Sequence, residues 1–172
     1  MNIYNQKGFS LLELLIYTAI LAIVTVVIAG AFTTLNRGRG RSEAQVEVNS
    51  NLRFAIDLIA QDLRSATAIS VPATANATSS SLSAIVSGVA VNYCITSSTL
   101  RRQSAGACSA SSEAVTSNLV LVDSLLFTRL ENTNATLSKT IISIETSLAL
   151  SYNSSSPDWQ YSSSKKTTVA LY

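Results

Sequence analysis

Twenty-two consecutive residues, Leu14 to Leu35, carry no charge, and an acid, Glu13, stands at their mouth. About 20 apolar residues cross a hydrocarbon core as a helix. Leu, Ile, Ala and Val dominate the run, and its single glycine, Gly30, is of a kind tolerated in such helices. One element of the fold is therefore expected to be a membrane-length helix. Placing a carboxylate in that setting costs roughly 2.5–3.5 kcal/mol on insertion scales. The chain offers no Lys or Arg between Lys7 and Arg37. The counter-charge for Glu13 is accordingly expected on another molecule.

Three explanations of the segment compete. A cleaved secretory signal needs an apolar core of about 7–15 residues and a small-x-small site. Ala29-Gly30-Ala31 supplies such a site, but Lys7 is the whole basic region and Glu13 opens the core. A plain single-pass anchor explains the length but leaves Gly8-Phe9 and Glu13 without a role. The third explanation rests on Gly8-Phe9-Ser10-Leu11-Leu12-Glu13 followed by the apolar run. These residues resemble the type IV prepilin and pseudopilin family, whose hallmark is glycine, phenylalanine, Ser or Thr, Leu, any residue and Glu before about 20 apolar residues.

The resemblance implies that a prepilin peptidase cuts after Gly8 and methylates the new Phe9 amine. Glycine suits the cut, because an absent side chain lets a protease reach the backbone. The Phe9 ammonium then offers a counter-charge to Glu13 of an adjacent subunit, which relieves both desolvation costs. The competing role for Glu13 is snorkelling at the interface. The charge distribution points the other way on orientation. Arg37, Arg39 and Arg41 follow the run and only Lys7 precedes it. The positive-inside rule alone places the C-terminal side in the cytoplasm; the resemblance places it outside, and the motif and the cysteine pair are given more weight than the charge count.

Beyond the apolar run, Arg37-Gly38-Arg39-Gly40-Arg41 is expected to bend or melt the helix, since each glycine costs about 1 kcal/mol against alanine. Ser42 fits an N-cap with Glu43 in the first turn. Val48, Leu52, Ala55, Ile56, Ile59, Leu63 and Ala66 then follow i, i+3, i+4 spacing. This stripe reads as a core face, with Arg53 and Asp57 paired on the other side. The helix is expected to fade near Ser65–Ser70, before Pro72. Residues 72–83, rich in Ala, Thr, Ser and Asn, read as a loop. The period then changes to two. Strands are expected over Val89–Thr96 and Thr99–Gln103 around a Ser97-Ser98 turn. Further strands are expected over Leu119–Val122 and Leu125–Leu130, with a break at Asp123-Ser124, then Ile141–Leu150 and Thr167–Leu171. A long helix followed by consecutive strands defines an α+β fold, an antiparallel sheet packed on the helix.

The later chain has a looser resemblance. Leu52-Arg53-Phe54-Ala55-Ile56-Asp57 with Asp62-Leu63-Arg64 is similar to the second helical half of J-type minor pseudopilins and W-type minor pilins. Tyr93-Cys94-Ile95, Thr99-Leu100-Arg101-Arg102, Val122-Asp123-Ser124-Leu125-Leu126-Phe127 and Thr168-Val169-Ala170-Leu171 resemble their strand pattern.

Composition excludes several chemistries. There is no histidine, which removes Ser-His-Asp and Cys-His nucleophile systems and imidazole metal ligands. Cys94 and Cys108 are too few for a four-thiolate zinc site. A disulfide in an oxidising compartment is the simpler reading, with two reduced buried thiols as the alternative. Asp123, Glu131, Glu145 and Asp158 are scattered and lack the spacing of a calcium loop. They read as solvated surface charge. A net charge of +2 and the pair Arg101-Arg102, read as a hairpin face, give no nucleic-acid groove. Trp159 with Tyr152 and Tyr161 reads as a satellite core cluster, with a carbohydrate- or partner-contacting patch as the alternative. Asn76, Asn134 and Asn153 head glycosylation-type triplets, which arise by chance in so Ser/Thr-rich a chain.

The expected organisation is a leader over 1–8, a transmembrane and assembly helix over 9–36, a Gly/Arg hinge over 37–41 and a pilin-like globular domain over 42–172. The expected protein is not an enzyme and needs no cofactor or metal. It is a single-pass subunit of the bacterial inner membrane with its globular domain outside the cytoplasm. The resemblance implies other pilins or pseudopilins, the prepilin peptidase and an inner-membrane assembly platform as partners. It further implies a minor pseudopilin of J type, placed near the tip of a type II secretion pseudopilus and active in protein transport. The alternatives are a W-type minor pilin of a surface pilus used for adhesion, motility or DNA uptake, and a membrane-anchored binding module without a filament.

Overall fold

The computed structural model describes residues 10–136 and 139–171. Its first element is a single helix, α1 (Leu11–Ser65), whose opening turn closes with the Leu14 amide donating to the Ser10 carbonyl at 3.2 Å. The chain divides into two compact units between Gly40 and Arg41. In the first, the described residues from Ser10 to Arg39 are all exposed.

The helix does not melt at residues 37–41, contrary to expectation. Helix propagation is cooperative, so two isolated glycines flanked by arginines, which are good helix formers, are carried by the turns on either side. Ser42 is consequently an interior residue of α1 and not an N-cap. The helix does end at Ser65, at the near edge of the range expected for its fading.

In the second unit, Val48, Leu52, Ala55, Ile56, Ile59 and Leu63 are buried, so the 3.6-residue period identifies the core face. Ala44 and Ala60 extend it. Ala66 is buried too, but as the first residue of a strand. Among the described residues nine strands follow: β1 (Ala66–Val71), β2 (Thr78–Ser79), β3 (Leu82–Val86), β4 (Val89–Thr96), β5 (Thr99–Ser104), β6 (Glu113–Ala114), β7 (Val120–Asn134), β8 (Lys139–Tyr152) and β9 (Ser162–Ala170). The fold is α+β, but the strands form two antiparallel sheets where one was expected. Their orders are β1-β3-β4-β5-β6 and β2-β7-β8-β9. Residues of both sheets and of the helix stripe share one core.

Alternation places the inner faces. Val91 and Tyr93 on β4 are buried, as are Ile144, Thr146, Leu148 and Leu150 on β8. The suspected break at Asp123-Ser124 is a register shift inside one long strand. The extra residue leaves both Asp123 and Ser124 exposed, while Val122 and Leu125 both face the core. A bulge therefore absorbs the phase change that periodicity registers as two strands. The Ser97-Ser98 turn is present, both residues having positive φ (52° and 56°), as a two-residue turn between twisted strands requires.

Several strands differ from expectation. Neither β1 nor β3 was anticipated, and β2 with the start of β3 falls in the segment read as a loop. Small residues conceal the alternation of β3, where Leu82 and Ala84 point inward between Ser83 and Ile85. β9 begins at Ser162, five residues before the expected Thr167, because pairing along β8 from Ser151 to Ser143 carries residues of low strand propensity.

Candidate functional site

The residue types of the apolar segment decide what can surround it. Leu11 is 82% exposed, and Leu12, Leu14, Leu15, Ile16 and Tyr17 are each at least half exposed. An apolar surface of this extent marks a membrane or a protein interface. The hydroxyls of the segment are closed on the helix itself. Thr18 Oγ1 donates to the Leu15 carbonyl (3.0 Å), Thr25 Oγ1 to the Leu21 carbonyl, and Thr33 and Thr34 both to that of Gly30 (2.8 and 3.0 Å). No threonine of the run therefore presents an unmet donor to lipid. Length and composition make this helix a candidate membrane span.

Glu13 lies in the first turn of α1 and is exposed. The partial positive charge of a helix N-terminus favours an acid there. Among the described residues no cation lies within ion-pair distance of it. Gly8 and Phe9 lie outside the described residues.

Cys94, on β4, and Cys108, in the loop after β5, are joined in a disulfide with their Cα atoms 6.1 Å apart. Cross-strand pairing puts Cys94 opposite Arg101. The bridge thus ties the loop to the same face of the hairpin. The loop is also held by Asn92 Nδ2 donating to the Gly106 carbonyl (2.6 Å) and by Arg101 Nη1 donating to that of Ser112 (2.7 Å).

Arg102 lies on the β4–β5 hairpin, as expected, and is paired there. Its register partner on β4 is Tyr93. The Arg102 guanidinium donates twice to Asp62, from Nε to Oδ2 at 2.8 Å and from Nη2 to Oδ1 at 3.2 Å. The Tyr93 hydroxyl donates to the same Oδ2 at 2.6 Å. Asp62 is 7% exposed. Burial, then the hydrogen bond and the charge of Asp62, push the Tyr93 hydroxyl far above its ordinary value. The hydrogen bond to Asp62 likewise raises Arg102. This cluster fastens the last turns of the helix to the β4–β5 hairpin. A signal for it exists: Asp62 stands three residues after Ile59 and seven after Ala55, an acid inside an apolar stripe.

A second polar clamp lies nearer the middle of α1. Ser117 donates its amide to Asn51 Oδ1 (2.8 Å) and its hydroxyl to Glu47 Oε1 (2.7 Å). Of the scattered acids, Asp123 accepts from Ser151 (2.7 Å), Glu131 pairs with Arg129 (2.6 Å) and Glu145 with Lys166 (2.8 Å). Tyr152 and Trp159 stack with ring centroids 5.9 Å apart, and Tyr152 and Tyr161 pack against the core. That is the satellite cluster expected of these aromatics.

Taken together, the chain presents an exposed apolar helix with an acid in its first turn, followed by an α+β domain bridged by one disulfide. Residues 3–29 match the family model of the prokaryotic N-terminal methylation motif, which is type IV prepilin-like. No curated protein and no solved structure matches the chain. The motif supports a type IV pilin-like protein that a prepilin peptidase processes, and it fits a single-pass membrane anchor.

Proposed function

We propose that the chain is a minor pseudopilin, a structural subunit of a type II secretion pseudopilus acting near its tip during initiation. The peptidase cuts between Gly8 and Phe9 and the new amine is methylated. The subunit waits in the inner membrane with residues 42–172 outside the cytoplasm. It joins partner pseudopilins when Glu13 pairs with the Phe9 ammonium of a neighbour. Its role is mechanical and not catalytic. The observation that carries this reading is Glu13 itself. It lies within a matched methylation motif, at the start of an exposed apolar helix, with no cation of the described residues beside it. The looser likeness to J-type subunits supports the subtype. A W-type minor pilin shares all these features, and neighbouring secretin and secretion-ATPase genes against twitching genes separate the two.

The test uses membranes that contain the peptidase and the partner subunits. Gly8→Val is expected to leave the longer precursor uncut. Glu13→Ala and Glu13→Gln are expected to be cut at Gly8 yet fail to cross-link with partner subunits, because neither supplies the charge. N-terminal mass spectrometry starting at Phe32 establishes a secretory signal instead. Normal assembly by both Glu13 variants reduces Glu13 to a snorkelling acid.

A further inference from the structure

The connection between β8 and β9 shapes a cleft that the filament role leaves without a use. β8 ends at Tyr152, a short 3-10 turn spans Pro157–Trp159, and β9 opens at Ser162. The chain leaves and rejoins the sheet at one point, where the Tyr152 amide donates to the Tyr161 carbonyl at 2.8 Å. Further bonds hold the loop. The Asn153 amide donates to the Leu119 carbonyl (2.8 Å), Asn153 Nδ2 to that of Asn118 (3.1 Å), and the Ser156 amide to Ser154 Oγ (3.1 Å). Asn49 Nδ2 on α1 donates to the Tyr161 hydroxyl (3.3 Å), and Trp159 stacks on Tyr152. The walls are thus in place before a ligand arrives, which lowers the ordering cost of binding.

The cleft has a volume of about 610 Å³, within the range of small-molecule sites, about 300–1,000 Å³. Its lining combines the phenol rings of Tyr152 and Tyr161 with the amides of Asn153 and Gln160 and the hydroxyls of Ser155 and Ser162. No charged side chain lines it. Among the described residues, the side chains of Ser155, Gln160 and Ser162 make no hydrogen bond, so their donors and acceptors stand open to a ligand. We propose that this cleft binds a neutral saccharide. A pyranose has an apolar face of C–H groups and a rim of hydroxyls that both donate and accept. Aromatic rings match the face, and amides and serines match the rim. An anionic ligand, such as a nucleotide or an acidic sugar, finds no cation in the lining. A peptide that adds to a sheet needs an open strand edge, whereas β8, which supplies Tyr152, is paired on both sides. The site lies wholly in the second unit, so its failure leaves the filament role untouched, and the reverse holds too.

The test uses the full chain in lauryldimethylamine oxide, a detergent without a sugar headgroup. Trp159 is the single tryptophan of the chain, and its stacking on Tyr152 makes its emission a reporter of the cleft. The probes are the methyl glycosides of glucose, galactose, mannose and N-acetylglucosamine, and a linear tetrasaccharide of each. Glucuronic acid and a neutral tetrapeptide of serine and alanine serve as controls. At least one neutral sugar is expected to change the emission saturably, with the same affinity at low and high salt, since no charge takes part. Tyr152→Ala is expected to abolish the response, but Tyr152 also packs against the core. Gln160→Ala, at an exposed position, avoids that difficulty and is expected to weaken binding about two- to tenfold, the loss of one hydrogen bond. Gln61→Ala, exposed on α1, is expected to leave it unchanged. Tighter binding of the tetrasaccharide than of its monosaccharide assigns a polysaccharide as the source, and equal affinity assigns a free sugar. No saturable response to any neutral sugar, a response to either control alone, or a response that Gln160→Ala leaves intact overturns the proposal.

Discussion

Asp62 occupies a helix position where an aliphatic side chain is the default, and the structure shows why the acid is tolerated. Both oxygens are engaged by Arg102, and Tyr93 supplies a third bond. Removing one partner of such a pair is worse than removing both, because a buried charge is left uncompensated. Asp62→Ala is expected to cost about 2–4 kcal/mol, the lower end allowing for the partial exposure of Arg102. Urea unfolding of the domain measures it. Tyr93→Phe removes one hydroxyl and should cost about 1–3 kcal/mol at neutral pH. Its pH profile is the sharper readout. Burial raises Tyr93 in the folded state, so above about pH 10 the unfolded chain loses that proton first. The folded state then binds more protons, and stability falls as pH rises, by about 1.4 kcal/mol per unit for one such group. The contribution is whole below about pH 10. The wild type should lose stability more steeply above pH 10 than Tyr93→Phe, and parallel profiles for the two would refute the assignment.

At the scale of elements, the β4–β5 hairpin carries both the disulfide and Arg102, so its turn is a sensitive point. Ser97 and Ser98 both adopt positive φ, which serine disfavours and Asn-Gly accepts. Ser97→Asn with Ser98→Gly is therefore expected to stabilise the domain by about 0.5–1 kcal/mol. Cys94→Ser is expected to destabilise it by about 2–5 kcal/mol, and thermal unfolding of the two variants should show opposite shifts. This hairpin was legible in the sequence, because Val91 and Tyr93 alternate with polar residues and two serines interrupt the pattern. The helix stripe was legible for the same reason at the other period. β1 and β3 were not, since Ala66–Val71 continues a helical-looking run and Ala and Ser mask the alternation after Leu82. The pairing of Arg102 was not legible, because it depends on strand register and on Asp62, 40 residues earlier. Nothing local to Arg101-Arg102 records which of the two faces inward. Gly38 and Gly40 do not end the helix, since a local propensity loses to the cooperativity of a 55-residue helix.

For the whole molecule, the decisive fact is where burial begins. Every buried apolar residue of the described chain lies at or after Ala44. The second compact unit starts at Arg41. A fragment over 41–172 therefore retains the core, the Asp62–Arg102–Tyr93 cluster and the disulfide, and loses the exposed apolar surface. It is expected to be soluble without detergent and to unfold in one cooperative step. The cut also changes the meaning of one residue. In the full chain Ser42 is inside α1, where alanine is the better helix former, so Ser42→Ala should be neutral or slightly stabilising. In the fragment the helix has to begin anew, and Ser42 followed by Glu43 has the chemistry of an N-cap. There Ser42→Ala should cost about 0.5–2 kcal/mol. Thermal unfolding of both forms, the full chain in detergent and the fragment in buffer, reads the sign. A fragment that aggregates or melts without cooperativity would show that the domain depends on the membrane segment. A Ser42 effect of equal size and sign in both forms would show that the helix does not run through this residue in solution.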